Sequence, residues 1–283
     1  MYGIDVAKWQ GTIDWAKVKK AGKEFAILKV TKKDNKIEES FERNYSGCMA
    51  AGITVGVYRY VYAKTVVAAQ AEANAIVKIL KGKNISCGVW IDVEDASIKK
   101  IGKANLTEII NAEAAIYQAA GLKVGIYCNL DWYINVLDGA GLAKIYPFWI
   151  ARYPASDNGT VKESLSPKAY AKAWQYSSKG RVPGISGNVD LNMTFVDIVQ
   201  IMSGKVSVTK EQESKPVASV QYYPKYSGTS ASIVAALKSL NIDSSYSYRK
   251  KIAAKNGITG YAGNASQNNK MMTLLKQGKL TKA

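Results

Sequence analysis

Two rhythms of apolar and polar positions alternate along the first 200 residues. Short runs rich in β-branched and aromatic residues have the length and composition of strands: YGIDV at 2–6, FAILKVT at 25–31, TVGVYRY at 54–60 and GVWIDVE at 88–94. KVGIYC at 123–128, PFWIAR at 147–152, KAWQY at 172–176 and GNVDL at 187–191 continue the series. Helical patterns fall between them, near 14–21, 38–51, 65–82, 105–120 and 194–202. The 105–120 segment opens on Asn105 with Glu108 three residues later, the spacing of a helix cap. Strands separated by helices imply parallel crossovers, and eight of them predict a closed barrel. About 200 residues is short for such a fold. The expectation is an irregular, trimmed (β/α) barrel with parallel strands. An open doubly wound sheet is the alternative, but GVYRY and GIYCN lack the spacing of a glycine-rich phosphate loop.

Beyond residue 203 the pattern changes. GKVSVTKEQESKPVA at 204–218 loses apolar periodicity and reads as a linker. SIVAALKSLNI and KMMTLLKQGKL then resume short amphipathic helical patterns, and SYSYRKKIAAKNGI mixes helix and turn signals. Residues 219–283 are expected to form a small mixed α/β module.

Charge follows the same division. The 283-residue chain carries a net +17. Residues 201–283 hold 13 Lys and Arg against 3 Asp and Glu, so most of the excess lies there. A basic tail calls for an anionic partner, such as nucleic acid, a membrane surface or a wall polymer. Tyr222, Tyr223, Tyr226, Tyr246 and Tyr248 could stack on bases, but no nucleic-acid motif accompanies them. No apolar run approaches the roughly 18 residues of a membrane span, so membrane insertion is not expected. The N-terminal MYGIDVAKWQG enters strand-like sequence at once, which leaves no room for a signal peptide.

There is no histidine. A Ser-His-Asp triad, a Cys-His pair and a His-bound zinc are excluded, and acid–base work falls to carboxylates, Tyr or Lys. Cys48, Cys87 and Cys128 are few and lie in or beside apolar segments, as buried reduced thiols do. No cofactor and no metal are expected.

The chemistry concentrates in GVWIDVEDAS. Asp92 and Glu94 are two apart after an apolar strand, so period-2 geometry puts them on one face. Asp95 points elsewhere and suits the following turn. Asp5 and Asp190 also end strand-like runs. In a closed barrel the first and last strands are neighbours, so all four acids converge at the C-terminal mouth. Carboxylates in different environments are the equipment of glycoside hydrolysis. Aromatic residues near the strand ends offer flat platforms for sugar rings, with Tyr60, Tyr62 and Tyr127 placed best. A divalent cation held by the carboxylates is the alternative, which the aromatic content suits less well.

These segments resemble glycoside hydrolase family 25, the Chalaropsis-type lysozymes common among phage endolysins. The pieces are GIDVAKWQGTIDW, FAILKVT, AGITVGVYRY, WIDVE, GIYCN, WIARY, AWQYSS and VDLN, in family order from residue 2 to about 195. The resemblance implies cleavage of the β-1,4 bond between N-acetylmuramic acid and N-acetylglucosamine in peptidoglycan. It makes Glu94 the general acid and Asp92 its assistant, with Asp5 and Asp190 completing the acidic floor. Tyr60, Tyr62, Tyr127, Trp149 and Gln175 become the substrate-binding candidates. Strand three often reads Tyr-His-Phe in this family and here reads Tyr58-Arg59-Tyr60, which puts sugar contacts there in question. Residues 219–283 resemble wall-binding modules of Gram-positive phage endolysins. The implied organisation is a catalytic barrel over 1–203, a linker over 204–218 and a cell-wall-binding domain over 219–283. The implied partners are peptidoglycan and an anionic wall polymer, with self-association through the tail. The implied location is the host cytoplasm, with holin-dependent release to the wall. Another D-x-E glycosidase such as a chitinase, and a non-catalytic wall binder, are the competing readings.

Overall fold

A computed structural model describes residues 1–203, 222–258 and 260–282. The chain divides into two compact units, Met1–Val208 and Thr209–Ala283. The predicted linker at 204–218 lies outside the described residues.

The first unit is a closed barrel of eight strands in chain order. They are β1 (Tyr2–Val6), β2 (Phe25–Lys29), β3 (Thr54–Tyr60), β4 (Val89–Asp92), β5 (Val124–Asn129), β6 (Phe148–Ala151), β7 (Ala173–Gly180) and β8 (Val189–Thr194). The helices are α1 (Trp15–Lys20), α2 (Phe41–Ala50), α3 (Val66–Leu80), α4 (Lys103–Ala119), α5 (Gly139–Leu142) and α6 (Ile198–Ser203). Strands β1 to β7 run parallel, and β8 runs antiparallel to both β7 and β1. The expectation of parallel strands throughout is corrected at this last strand. The cause is length: a parallel crossover needs roughly a dozen residues, and only residues 181–188 separate β7 from β8. Such a connection closes a hairpin and reverses the strand. Between β6 and β7 the trimming is also visible, with a single 3-10 turn, Glu163–Leu165, in place of an α-helix.

Two apolar layers follow from strand alternation. Outward side chains such as Ile4, Val55, Val57, Ile91 and Ile126 pack against the helices. Inward side chains form a separate column of Phe25, Ile27, Trp90, Tyr127, Trp149 and Ala173. Residues Ile198, Ile201 and Met202 of α6 join this column and floor the barrel. Large rings fit inside because glycines face them. A Cβ at Gly3 would meet the Phe25 ring, and one at Gly125 would meet the Trp90 ring. All three cysteines are buried and free.

Helix starts follow local chemistry. Asp14 caps α1 by accepting from the Lys17 N–H, and Thr65 caps α3 by accepting from the Ala68 N–H. Asn105 does not cap α4. That helix begins two residues earlier, after Gly102 at φ 90°, and the Asn105 amide donates back to the Ile101 carbonyl at 3.0 Å.

The second unit is helical in its described residues, with α7 (Ile233–Ser239), α8 (Tyr246–Lys255) and α9 (Ala265–Lys276). One isolated bridge, Tyr222 to Thr281, is its only strand-like pairing among the described residues. Among the described residues the expected mixed α/β module is therefore corrected to a helical one, since pairing there is confined to that bridge. Tyr226, Ile233, Leu237, Ile252, Tyr261, Met271 and Leu275 give it a core of its own. Tyr223 and Tyr226 are buried in that core, so they offer no stacking faces.

Candidate active site

The C-terminal ends of the parallel strands surround a cavity of about 370 Å³. Strand register aligns its walls. Tyr60, Asp92 and Tyr127 are neighbours across β3, β4 and β5, and Tyr127 adjoins Trp149 on β6. Asp5 on β1 faces Asp190 on β8. Because β8 is reversed, Asp190 reaches the mouth from the beginning of its strand rather than the end. Asp5, Asp92, Glu94 and Asp190 all line this one cavity, as do Tyr60, Tyr127, Trp149 and Gln175.

Asp5 is buried and fixed by amides. Its Oδ2 accepts from Gln175 Nε2 at 3.0 Å and from Asn192 Nδ2 at 2.7 Å. Gln175 in turn accepts from the Tyr127 hydroxyl at 2.9 Å, and Asn192 accepts from Trp149 Nε1 at 2.9 Å. Two of the substrate-binding candidates, Trp149 and Gln175, thus also hold the acid in place.

The carboxyl groups share too little solvent to ionise together. Burial pushes Asp190 up to about 9, and the adjacent Asp5 adds to the effect. Burial also raises Asp5, while hydrogen bonds from Asn192, Gln175 and Asp190 oppose the rise. Of this facing pair, Asp190 keeps the proton and Asp5 accepts it. Burial and then the charge of Glu94 raise Asp92 well above the ordinary range, with the Lys29 ammonium opposing. Its Oδ1 is buried without a hydrogen-bond partner among the described residues. Burial, helped by Asp5, lifts half-buried Glu94 to about 7. Asp95 is excluded from the cavity lining and accepts from the Ser97 N–H at 2.7 Å, the turn contact its position predicted. Among the described residues no group of three or more His, Cys, Asp or Glu side chains is arranged to hold a metal ion.

Tyr62 is the one predicted binding residue outside the cavity lining. Its ring stacks behind Tyr60 at 4.9 Å between centroids. Arg59 lies on the other face of β3, fully buried, paired with Glu72 of α3 at 3.1 Å. Of the two departures from the family pattern on this strand, Arg59 is thus kept out of the cavity, whereas Tyr60, in the place of the usual Phe, lines it. Lys29, Tyr58, Tyr153 and Ser178 line the cavity without having been singled out from the sequence. Alternation was the available signal for two of them, since Lys29 and Tyr58 follow inward-facing Ile27 and Gly56.

Comparison with known proteins agrees with this architecture. The chain is 33% identical over 202 residues to lysozyme M1 of Streptomyces globisporus, a match covering 67% of this chain and 66% of that protein. The structure of the bacterial lysozyme from Streptomyces coelicolor is similar, with TM-score 0.59 and 29% identity, over 72% of this chain and 97% of that one. So is the catalytic domain of endolysin ply40 from bacteriophage P40 of Listeria monocytogenes, with TM-score 0.62 and 26% identity, over the same shares of the two chains. Residues 4–185, from β1 into the β7–β8 connection, match the glycosyl hydrolases family 25, and the chain belongs to that family.

Proposed function

We propose that this chain is an N-acetylmuramidase that hydrolyses the β-1,4 bond between N-acetylmuramic acid and N-acetylglucosamine in peptidoglycan. The observation that carries the reading is Glu94, a carboxyl lifted to about 7 at the mouth of a cavity with three further acids. A group of that pKa holds a proton near neutrality and releases it to a glycosidic oxygen. Family membership and the lysozymes among its relatives support the substrate class.

Asp92 supplies the second function. Its unpartnered Oδ1 suits the N–H of the sugar's 2-acetamido group. Held there, the acetamido oxygen attacks the anomeric carbon as Glu94 protonates the departing oxygen. Asp92 stabilises the oxazolinium-like ion, and Glu94 then takes a proton from the incoming water, as substrate-assisted glycosidases do. Asp5 and Asp190 stay behind this pair and hold the floor acidic but singly protonated. Tyr60, Tyr127 and Trp149 provide the sugar-facing walls.

The test is a reducing-sugar assay on purified walls with early NMR of the product. Wild type should release reducing ends whose first-formed anomer is β. Glu94→Gln should lose about 10²–10⁴-fold or more in rate with its fold intact. An α-anomer in the first minutes would reassign Asp92 as the base for direct water attack. Near-normal activity in Glu94→Gln would remove that residue from the acid role.

The wider reading is an endolysin. The barrel over 1–203 cuts, and the basic module over 219–283 targets the chain to the wall through an anionic polymer. Release from the host cytoplasm through a holin pore and self-association of the tail belong to the same proposal. A phage endolysin domain among the similar structures supports it, as does a second unit with its own core.

A further inference from the structure

Beside the acidic cavity lies a second one of opposite character. It encloses about 250 Å³ and is lined by Ala7, Lys8, Trp9, Lys29, Lys32, Lys33, Glu38 and Glu39. Lys29 lines both cavities, so the two adjoin at its side chain. The second is built by two loops that follow β1 and β2, and buried Glu38 ties them together. Its Oε1 accepts from the Lys8 backbone N–H at 2.9 Å, and its Oε2 accepts from the Ser40 N–H at 2.9 Å and from the Ser40 hydroxyl. The charge of Glu38 is thus engaged within the protein, and Glu39 pairs with Lys32 at 3.4 Å. Among the described residues neither Lys8 nor Lys33 is ion-paired to a carboxylate. Their ammonium groups sit over aromatic rings, Lys8 at 5.0 Å from Trp9 and Lys33 at 4.9 Å from Tyr62. Trp9 is 79% exposed, an indole that the fold itself does not bury.

The arrangement is bipolar. Acids gather where a glycosidic bond is to be cut, and unpaired cations with a bare indole gather next to them. A neutral glycan has no use for the cations. A sugar carrying a carboxylate on one side fits both halves at once, with its ring in the acidic cavity and its anion among the lysines. Resting on the muramidase reading, we infer that Lys8, Lys33 and Trp9 form a subsite for a carboxylate borne by the substituent on the muramic acid ring, the exposed indole packing against the chain that bears it. That carboxylate has two sources, the lactyl acid itself or the acidic residues of the peptide attached to it.

The experiment uses the full chain and two soluble glycans, one bearing stem peptides and one stripped to free lactyl acids. Kinetics and direct binding are measured for wild type and for the exposed double variant K8Q/K33Q. The expected result is a KM raised roughly 5- to 20-fold with kcat unchanged, and an effect that fades at high salt because exposed charges are screened. The lactyl carboxyl is free only in the stripped glycan, because a stem peptide ties it up as an amide. An effect confined to the peptide-bearing glycan assigns the peptide carboxylates, one confined to the stripped glycan assigns the lactyl acid, and one on both shows that the subsite accepts either. Converting the substrate carboxylates to amides should weaken wild type to the level of the variant. Unchanged KM and unchanged binding of both glycans by K8Q/K33Q would overturn the inference. Failure of wild type to release reducing ends from either glycan would overturn the muramidase reading instead, and the binding measurement would still decide the subsite.

Discussion

Glu94 and Asp190 are both half-buried but differ in neighbours, and their protons follow: Asp190 is hydrogen-bonded to Asp5 and Glu94 is not. Glu94 at about 7 loses its proton within the neutral range. Turnover should fall as pH rises through 7, tenfold per unit above it, because only the protonated form donates. Asp190 at about 9 is already neutral there. Its carboxyl is raised above the unfolded value, so the stability it contributes is complete at acid pH and is lost as pH rises through about 9. Asp190→Asn keeps a donor for Asp5 without the titration. Urea unfolding should find it more stable than wild type above pH 9, and its activity at pH 6 should fall by less than the ~10²-fold of losing a general acid. The acids were legible because period-2 spacing put Asp92 and Glu94 together. Arg59 obeys the same rule in the opposite sense: lying between inward Tyr58 and Tyr60, it faces the helices. Asn192, two residues after Asp190, was equally readable by alternation, yet an amide beside a carboxylate carries no motif. Tyr62 lies two residues beyond the end of β3 and outside the cavity lining, with its ring behind Tyr60.

Elements were read well where both period and length spoke. All eight strands were anticipated from β-branched runs, and their order follows the chain. The direction of β8 was not, although the short 181–188 connection carried the information. Glycine placement carries a second message. Gly3, Gly56 and Gly125 look like defects in their strands, and inside the barrel they accommodate neighbouring side chains. Gly125→Ala should force the Trp90 ring off its position and cost about 1–3 kcal/mol, as overpacking does. Thermal unfolding measures it, and a Tm equal to wild type would show that the column has slack. The cap of α4 was misplaced because Gly102 at φ 90° starts the helix more cheaply than Asn105 can cap it.

At the scale of the molecule, two cores predict two separable behaviours. The floor of the barrel is α6, whose Ile198, Ile201 and Met202 are buried in the inward column. A chain ending at Ser203 should fold and cleave soluble glycan. One ending at Phe195 loses three buried apolar side chains, at roughly 1.5–3 kcal/mol each, and should be unfolded or molten at 37 °C. Circular dichroism and a melting curve distinguish them, and equal Tm values would deny α6 its role. The helical nature of the tail was only half legible, since Lys-rich SYSYRKKIAAK has a weak amphipathic pattern, whereas its Ser245 cap and buried Ile252 appear only once folded.

The hydrogen bonds that fix Asp5 come from partners 170 and 187 residues away along the chain. The amino-terminal Met1 likewise meets Thr194 across 193 residues, where the first strand closes on the last. Contacts of such long range form late, after the entropy of closing the chain has been overcome. During synthesis Asp92 on β4 and Glu94 just beyond it are therefore made long before the strand that completes their surroundings. A ribosome that stops early releases a barrel with an open seam, and with it a carboxylate cluster that has not assembled. On the muramidase reading proposed above, the chemistry of that cluster depends on the last strand being finished.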